Sequence, residues 1–182
     1  DVKDTDWEDA RIAVYAAQID RMDQGIGRIM ARLEAMDLED NTLVMFLSDN
    51  GGCAEFLKED GRVEVAPTET RDGRPVRVGN HRDLMPGPDD TYLSYDLPWA
   101  NASNTPFKLF KHWTHEGGIA TPFIAHWPAG IAAGQRVTSP AHLIDVMATC
   151  VDVADTPYPS AYDGNAIQPL QGESFRPAFS DD

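Results

Sequence analysis

An α/β fold is the class this sequence predicts. Three observations carry it: a long amphipathic helical stretch near the start, a wholly apolar run directly behind it, and a second apolar run followed by another helical stretch. In residues 7–34, Ile12, Tyr15, Ile19, Met22, Ile26, Ile29 and Leu33 recur at steps of three and four, which lays one apolar stripe along a helix. Asp4, Thr5 and Asp6 offer N-cap oxygens, and Glu8 and Asp9 suit the positive end of the helix dipole. Residues 42–48, TLVMFLS, form a continuous run of strand formers, the pattern of a strand covered on both faces.

Between 51 and 105 proline, glycine and charge recur, and only 62–65 and 76–78 read as short strands. So long an irregular stretch inside a domain is usually functional. The run 119–127 is broken by Pro122, which puts an edge position or a strand start beside that proline. Residues 142–153 return to helical spacing, with Ser139-Pro140 as the helix start. From Asp155 on, Pro157, Pro159, Gly164, Pro169 and Pro177 mark loop, and 180–182 carry no closing element.

Length and composition narrow the class further. A chain of 182 residues with 42% hydrophobic and 25% charged residues is ordinary globular material, which excludes collagen-like, coiled-coil and fully disordered readings. The longest apolar run, 43–47, falls far short of the roughly 18–20 residues that cross a bilayer, so no membrane span is expected. Thirty Asp and Glu against 15 Lys and Arg give a net charge of -15, which repels a phosphate backbone and argues against nucleic acid as a partner. Cys53 and Cys150 belong to no CxxC pair and give no support to a zinc site or disulfide scaffold. DVKDTDWEDA shows neither a basic nor an apolar signal region.

Three stretches carry chemistry. Ser48-Asp49-Asn50-Gly51-Gly52 follows the buried strand, and ligands in open α/β sheets collect outside the carboxyl ends of strands. Asp49 offers a charged oxygen and Asn50 a neutral one, suited to Ca²⁺ or Mg²⁺; the same four residues are also ordinary turn chemistry. Lys111-His112-Trp113-Thr114-His115-Glu116-Gly117-Gly118 is a local cationic spot able to bind an anion, or else a solvated basic patch with Trp113 packed beneath it. YDLPWANASNTPFK, 95–108, is either a pocket for a polar ligand such as a sugar, lined by Tyr95, Trp99, Asn101 and Asn104, or a loop whose aromatics anchor it to the core.

Taken jointly, YAAQIDRMDQGIGRI at 15–29, LVMFLSDNGG at 43–52 and WANASNTPFKLFKHWTHEGGIATPFIAHWPAGI at 99–131 resemble the sulfatase family, the arylsulfatase-type branch of the alkaline phosphatase superfamily. The resemblance implies an alkaline-phosphatase-like sandwich, partial here, with a mainly parallel central sheet flanked by helices. It implies that Asp49 and Asn50 are metal ligands, with Ca²⁺ usual and Mg²⁺ possible, and that Lys111 contacts the sulfate group and stabilises its charge. His115, beside the same turn, is a weaker candidate for substrate contact. The family's nucleophile is a formylglycine made in a Cys/Ser-x-Pro-x-Arg motif, and neither cysteine here fits it, Cys53 being followed by Ala-Glu and Cys150 by Val-Asp.

Residues 1–182 are therefore expected to be the later part of a sulfatase catalytic domain, its formylglycine supplied upstream and the isolated polypeptide inactive. The substrate implied is a sulfate ester, either an aryl sulfate or a sulfated glycan, and the family implies a periplasmic or extracellular setting. Two other readings stay open: a phosphatase or phosphonate monoester hydrolase of the same superfamily, and a noncatalytic binding or interaction domain.

Overall fold

A computed structural model describes residues 4–180; Asp181 and Asp182, part of the ending expected to carry no element, lie outside the described residues. Helix α1 spans Thr5–Ala35, strand β1 Val44–Leu47, β2 Arg77–Val78, β3 Thr91–Tyr92, helix α2 Asp96–Ser103 and the single turn α3 Glu116–Ile119. Strand β4 spans Phe123–His126, helix α4 Asp145–Val153, β5 Ala161–Tyr162 and β6 Asn165–Ala166, and a 3-10 turn at Arg176–Phe179 follows. The described strands make three two-stranded sheets: β1 with β4, β2 parallel to β3, and β5 antiparallel to β6.

The long helix, the strand behind it and the strand starting just after Pro122 match the sequence reading. Other expectations do not hold. Residues 62–65 form no strand, while of 76–78 only Arg77–Val78 become β2, whose partner β3 has no distinctive pattern of its own. The helix expected over 142–153 begins at Asp145, not at Ser139-Pro140, and Asp145 accepts the His142 N–H at 2.7 Å. Strand β1 is half-buried along its length rather than covered on both faces. Between β5 and β6, Asp163 and Gly164 both have positive φ, 48° and 76°, the geometry of a two-residue Asp-Gly hairpin turn.

The chain divides into two compact units. The first comprises the described residues up to Arg32 together with Leu47–Phe123, and the second Leu33–Phe46 with the described residues from Ile124 on. In the first unit the apolar stripe of α1 is not what is buried: Ile19 is 42% and Ile29 61% exposed. Trp7, Glu8 and Arg11, on the first turns, are the buried residues. Two guanidinium groups lie over the Trp7 ring, Arg11 at 4.5 Å and Arg82 at 4.3 Å, and its Nε1 donates to the carbonyls of His81 and Leu84. Arg11 donates to the Ser94 carbonyl and pairs with Glu8, while Arg82 reaches the other Glu8 oxygen at 2.8 Å.

This cluster fastens the irregular stretch to the helix. Trp99 on α2 donates to the Glu8 carbonyl at 3.1 Å, and Tyr95 stacks on Tyr15 with ring centroids 4.8 Å apart. A charge this buried is tolerable only because every charged group in it has a partner. Burial pushes the Glu8 carboxyl up, but hydrogen bonds and charge from Arg11 and Arg82 outweigh it and hold the group below the usual glutamate value.

In the second unit α4 carries the C-terminal segment. Thr149, fully buried, donates to the Asp145 carbonyl and accepts the Phe175 N–H at 3.0 Å. Asp145 accepts the Glu173 N–H, Asp152 accepts from Ser174 and Arg176, and Phe179 meets Trp127 and Phe175 edge-on.

Two outcomes follow from the Trp7 cluster. Trp7→Ala removes the largest buried side chain of the first unit and should cost about 3–5 kcal/mol in urea unfolding; a loss under about 1 kcal/mol would contradict its anchoring role. Because the folded pKa of Glu8 lies below its unfolded one, its stabilisation is present above the unfolded pKa and is lost as pH falls through the folded one. Glu8→Gln should therefore flatten the acid limb of stability against pH, read as melting temperature between pH 7 and 3.

Candidate active site

The four residues to which the family resemblance assigns roles, Asp49, Asn50, Lys111 and His115, fall in the first unit. They sit on two loops that the backbone ties together. The Gly51 N–H donates to the Gly118 carbonyl at 3.0 Å, and the Lys111 N–H donates to the Gly52 carbonyl at 3.0 Å. Thr121 Oγ1 adds a bond to the Ser48 carbonyl at 2.7 Å. The turn at the end of β1 and the segment 108–118 thus lie against each other along their length.

Glycine makes so close an approach possible. A Cβ on Gly51 would overlap the Gly117 carbonyl oxygen, and one on Gly117 would overlap the carbonyl of Leu109. Neither glycine has a positive φ, so absence of a side chain, rather than backbone freedom, is what the site uses. The Glu-Gly-Gly stretch forms the one-turn helix α3, with Gly117 and Gly118 buried and the Gly117 N–H bonded to the Lys108 carbonyl at 2.9 Å.

Asp49 is exposed and Asn50 half-buried at the tip of the first loop. Their oxygens are hard donors of the kind Ca²⁺ takes, but two residues fall short of the about six to eight oxygens it prefers. Among the described residues no group of three or more His, Cys, Asp or Glu is placed to hold a metal ion. Donor type fits a calcium site; donor number does not complete one.

Lys111 is half-buried and its Nζ lies 3.7 Å from Glu55 Oε1. The same oxygen is 3.4 Å from His112 Nε2. The cationic spot read from the sequence is therefore faced by a carboxylate, and an arriving anion has to compete with Glu55 for Lys111. Glu55 was not among the sequence candidates; its position three residues beyond Gly52 gave no signal. Trp113 is 49% exposed and meets His115 edge-on, with centroids 6.2 Å apart, so it does not pack beneath a basic patch. His115 is exposed and precedes α3.

The aromatic and amide stretch resolves toward anchoring rather than a sugar pocket. Tyr95 and Trp99 are engaged with Tyr15 and Glu8, and the Asn104 amide is spent on internal bonds, while Asn101 is exposed on α2. Helix α2 itself was not anticipated. Residues 95–108 read as a pocket or an anchored loop, yet Pro98 falls in the first turn of α2, where a missing N–H costs nothing.

Comparison with known proteins gives these loops a context. A family model described as Sulfatase matches residues 1–156. An uncharacterized sulfatase of Schizosaccharomyces pombe is 30% identical over 150 residues, covering 80% of this chain and 25% of that protein. Human steryl-sulfatase is 27% identical over 166 residues, covering 90% of this chain and 22% of that one, and the arylsulfatase of Klebsiella aerogenes is 30% identical over 163, covering 89% and 33%. Among solved structures, Ps i-CgsB in complex with k-i-k-neocarrahexaose matches with a TM-score of 0.57 at 25% identity, covering 91% of this chain and 26% of that one. The chain thus spans about a fifth to a third of the length of these relatives.

The packing of the two loops has a direct test. Gly51→Ala should destabilise by about 1–3 kcal/mol, the usual cost of overpacking. Gly27→Ala, where nothing lies within 4 Å of the added carbon in a helix, should stabilise by up to about 1 kcal/mol. Urea unfolding of both variants checks the contrast, and equal effects would contradict the close approach.

Proposed function

The chain belongs to the sulfatase family, and on that premise we propose that residues 1–182 form the C-terminal portion of a sulfatase catalytic domain that hydrolyses sulfate esters. The observation that carries this reading is the pair of backbone ties that hold the Asp49-Asn50 turn against the Lys111 loop. Matching order across most of the chain in three named sulfatases supports it. The alkaline-phosphatase-like sandwich with a mainly parallel central sheet belongs to the complete domain, in which β1 and β4 are neighbouring strands.

In this reading Asp49 and Asn50 supply two oxygen ligands to a Ca²⁺ ion, with Mg²⁺ as the alternative, and further ligands come from sequence outside these residues. When bound, such an ion withdraws charge from the nonbridging sulfate oxygens. Lys111 does the same work with a fixed ammonium group, aimed at charge that grows in the transition state. Glu55 keeps that ammonium paired until the ester arrives. His115 stands beside the α3 turn as a substrate contact. The attacking group, a formylglycine, is supplied from a Cys/Ser-x-Pro-x-Arg motif outside this chain, so these residues bind and stabilise and do not themselves attack.

A sulfated glycan is the substrate class we favour over an aryl sulfate. The structural neighbour's complex with a neocarrahexaose supports it. The half-exposed Trp113 beside His115 supports it too, since sugar rings pack on aromatic faces.

The 182-residue chain, assayed with a chromogenic aryl sulfate and excess calcium, should show no turnover above buffer. In the complete enzyme, Asp49→Ala and Lys111→Ala should each lower kcat by about 10²–10³-fold, the usual loss for one electrostatic stabiliser. Calcium-dependent turnover by the chain alone, or near-normal kinetics in both variants, would contradict the assignment.

A further inference from the structure

We propose that Asn104 is a positioning residue that sets the separation between the Asp49-Asn50 turn and the loop carrying Lys111. Resting on the sulfatase reading above for its consequence in catalysis, it stands on hydrogen-bond geometry for its role in the fold. The Oδ1 of Asn104 accepts the Gly52 N–H at 3.0 Å. Its Nδ2 donates to the Ala100 carbonyl at 2.9 Å and to the Leu109 carbonyl at 3.1 Å. One amide thus touches the turn after β1, the end of α2 and the loop two residues before Lys111.

The partners fix which way the amide faces, since only the oxygen can meet an N–H and only the nitrogen can meet two carbonyls. No other side chain fits the position. Aspartate keeps the acceptor but turns a carboxylate oxygen toward two carbonyl oxygens, serine lacks the second donor, and glutamine is longer by a methylene. Gly52 completes the arrangement, because its N–H goes to Asn104 while its carbonyl accepts the Lys111 N–H. A Cβ on Gly52 would press on the Tyr95 hydroxyl and would lie 2.8 Å from Ser103 Oγ, so the turn is seated directly on α2.

Asn104 also ends α2, at the C-cap position, and its amide shares the Ala100 carbonyl with the Ser103 hydroxyl, which donates to it at 3.0 Å. The helix is in turn held to α1 by Trp99 and the Glu8 carbonyl. Through Asn104 both site loops are therefore referenced to the most buried part of the unit. Small errors in such spacing are costly in catalysis, because stabilising groups act only where charge develops.

Amide hydrogen exchange of the 182-residue chain, with turnover of the complete enzyme, tests the proposal. In Asn104→Ala the Gly52 and Lys111 amides should exchange about ten-fold faster or more, while the Phe175 amide, bonded to Thr149 in the other unit, keeps its wild-type rate. Asn104→Asp retains the acceptor and should leave Gly52 protected while Lys111 loses protection. In the enzyme, Asn104→Asp should lower kcat by about ten-fold or more with KM within about two-fold of wild type. Wild-type exchange at Lys111 in both variants, or wild-type kcat with an intact sulfatase, overturns the proposal. The expected exchange pattern in a complete enzyme that hydrolyses no sulfate ester overturns the sulfatase reading and supports the tie.

Discussion

Everything the site can do depends on two stretches of backbone approaching more closely than side chains allow. Gly51 and Gly117 meet with no room for a Cβ, and the bonds from Gly51 to Gly118 and from Lys111 to Gly52 run across that contact. Side chains then leave the joined loops, Asp49 and Asn50 from one and Lys111 from the other. Backbone bonds between glycines are short, stiff and free of rotamer entropy, which suits groups whose spacing must not drift. The chemistry rests on a junction that itself contains no chemistry.

Electrostatics follow from the same geometry. In a chain of net charge -15, a lone lysine meant for an anion would be surrounded by competitors. Glu55 lies 3.7 Å from Lys111 and 3.4 Å from His112, an exposed contact that solvent screens and that an anion would have to displace to reach Lys111. The Trp7 cluster is the opposite case. Arg11, Arg82 and Glu8 are mutually satisfied around a buried indole, and removing any one leaves the others short of a partner. One set of charges is open to solvent, the other is closed in by its own partners.

The sequence displayed its local periodic elements better than its long-range contacts. Helix α1, strand β1 and the strand after Pro122 were legible because apolar spacing and proline act locally. The turn and loop with Asp49, Asn50 and Lys111 were legible through the glycine pairs and the family resemblance. What packs where was not. The stripe Ile19 to Ile29 looked like the core, but Trp7 and Arg11 are buried instead, through contacts to 81–96 that no periodicity encodes. Helix α2 was hidden by Pro98, and Asn104 looked like a ligand-binding amide because its three partners are brought to it by folding. The role of Glu55 likewise exists only once the two loops meet.

A double-mutant cycle between Asp49 and Lys111 in the complete enzyme tests most directly that these two residues serve one reaction centre. If both stabilise the same transition state, the Asp49→Asn, Lys111→Met double variant should lose far less of kcat/KM than the product of the single losses. Losses that multiply would mean that the carboxylate and the ammonium act independently, which contradicts a shared centre.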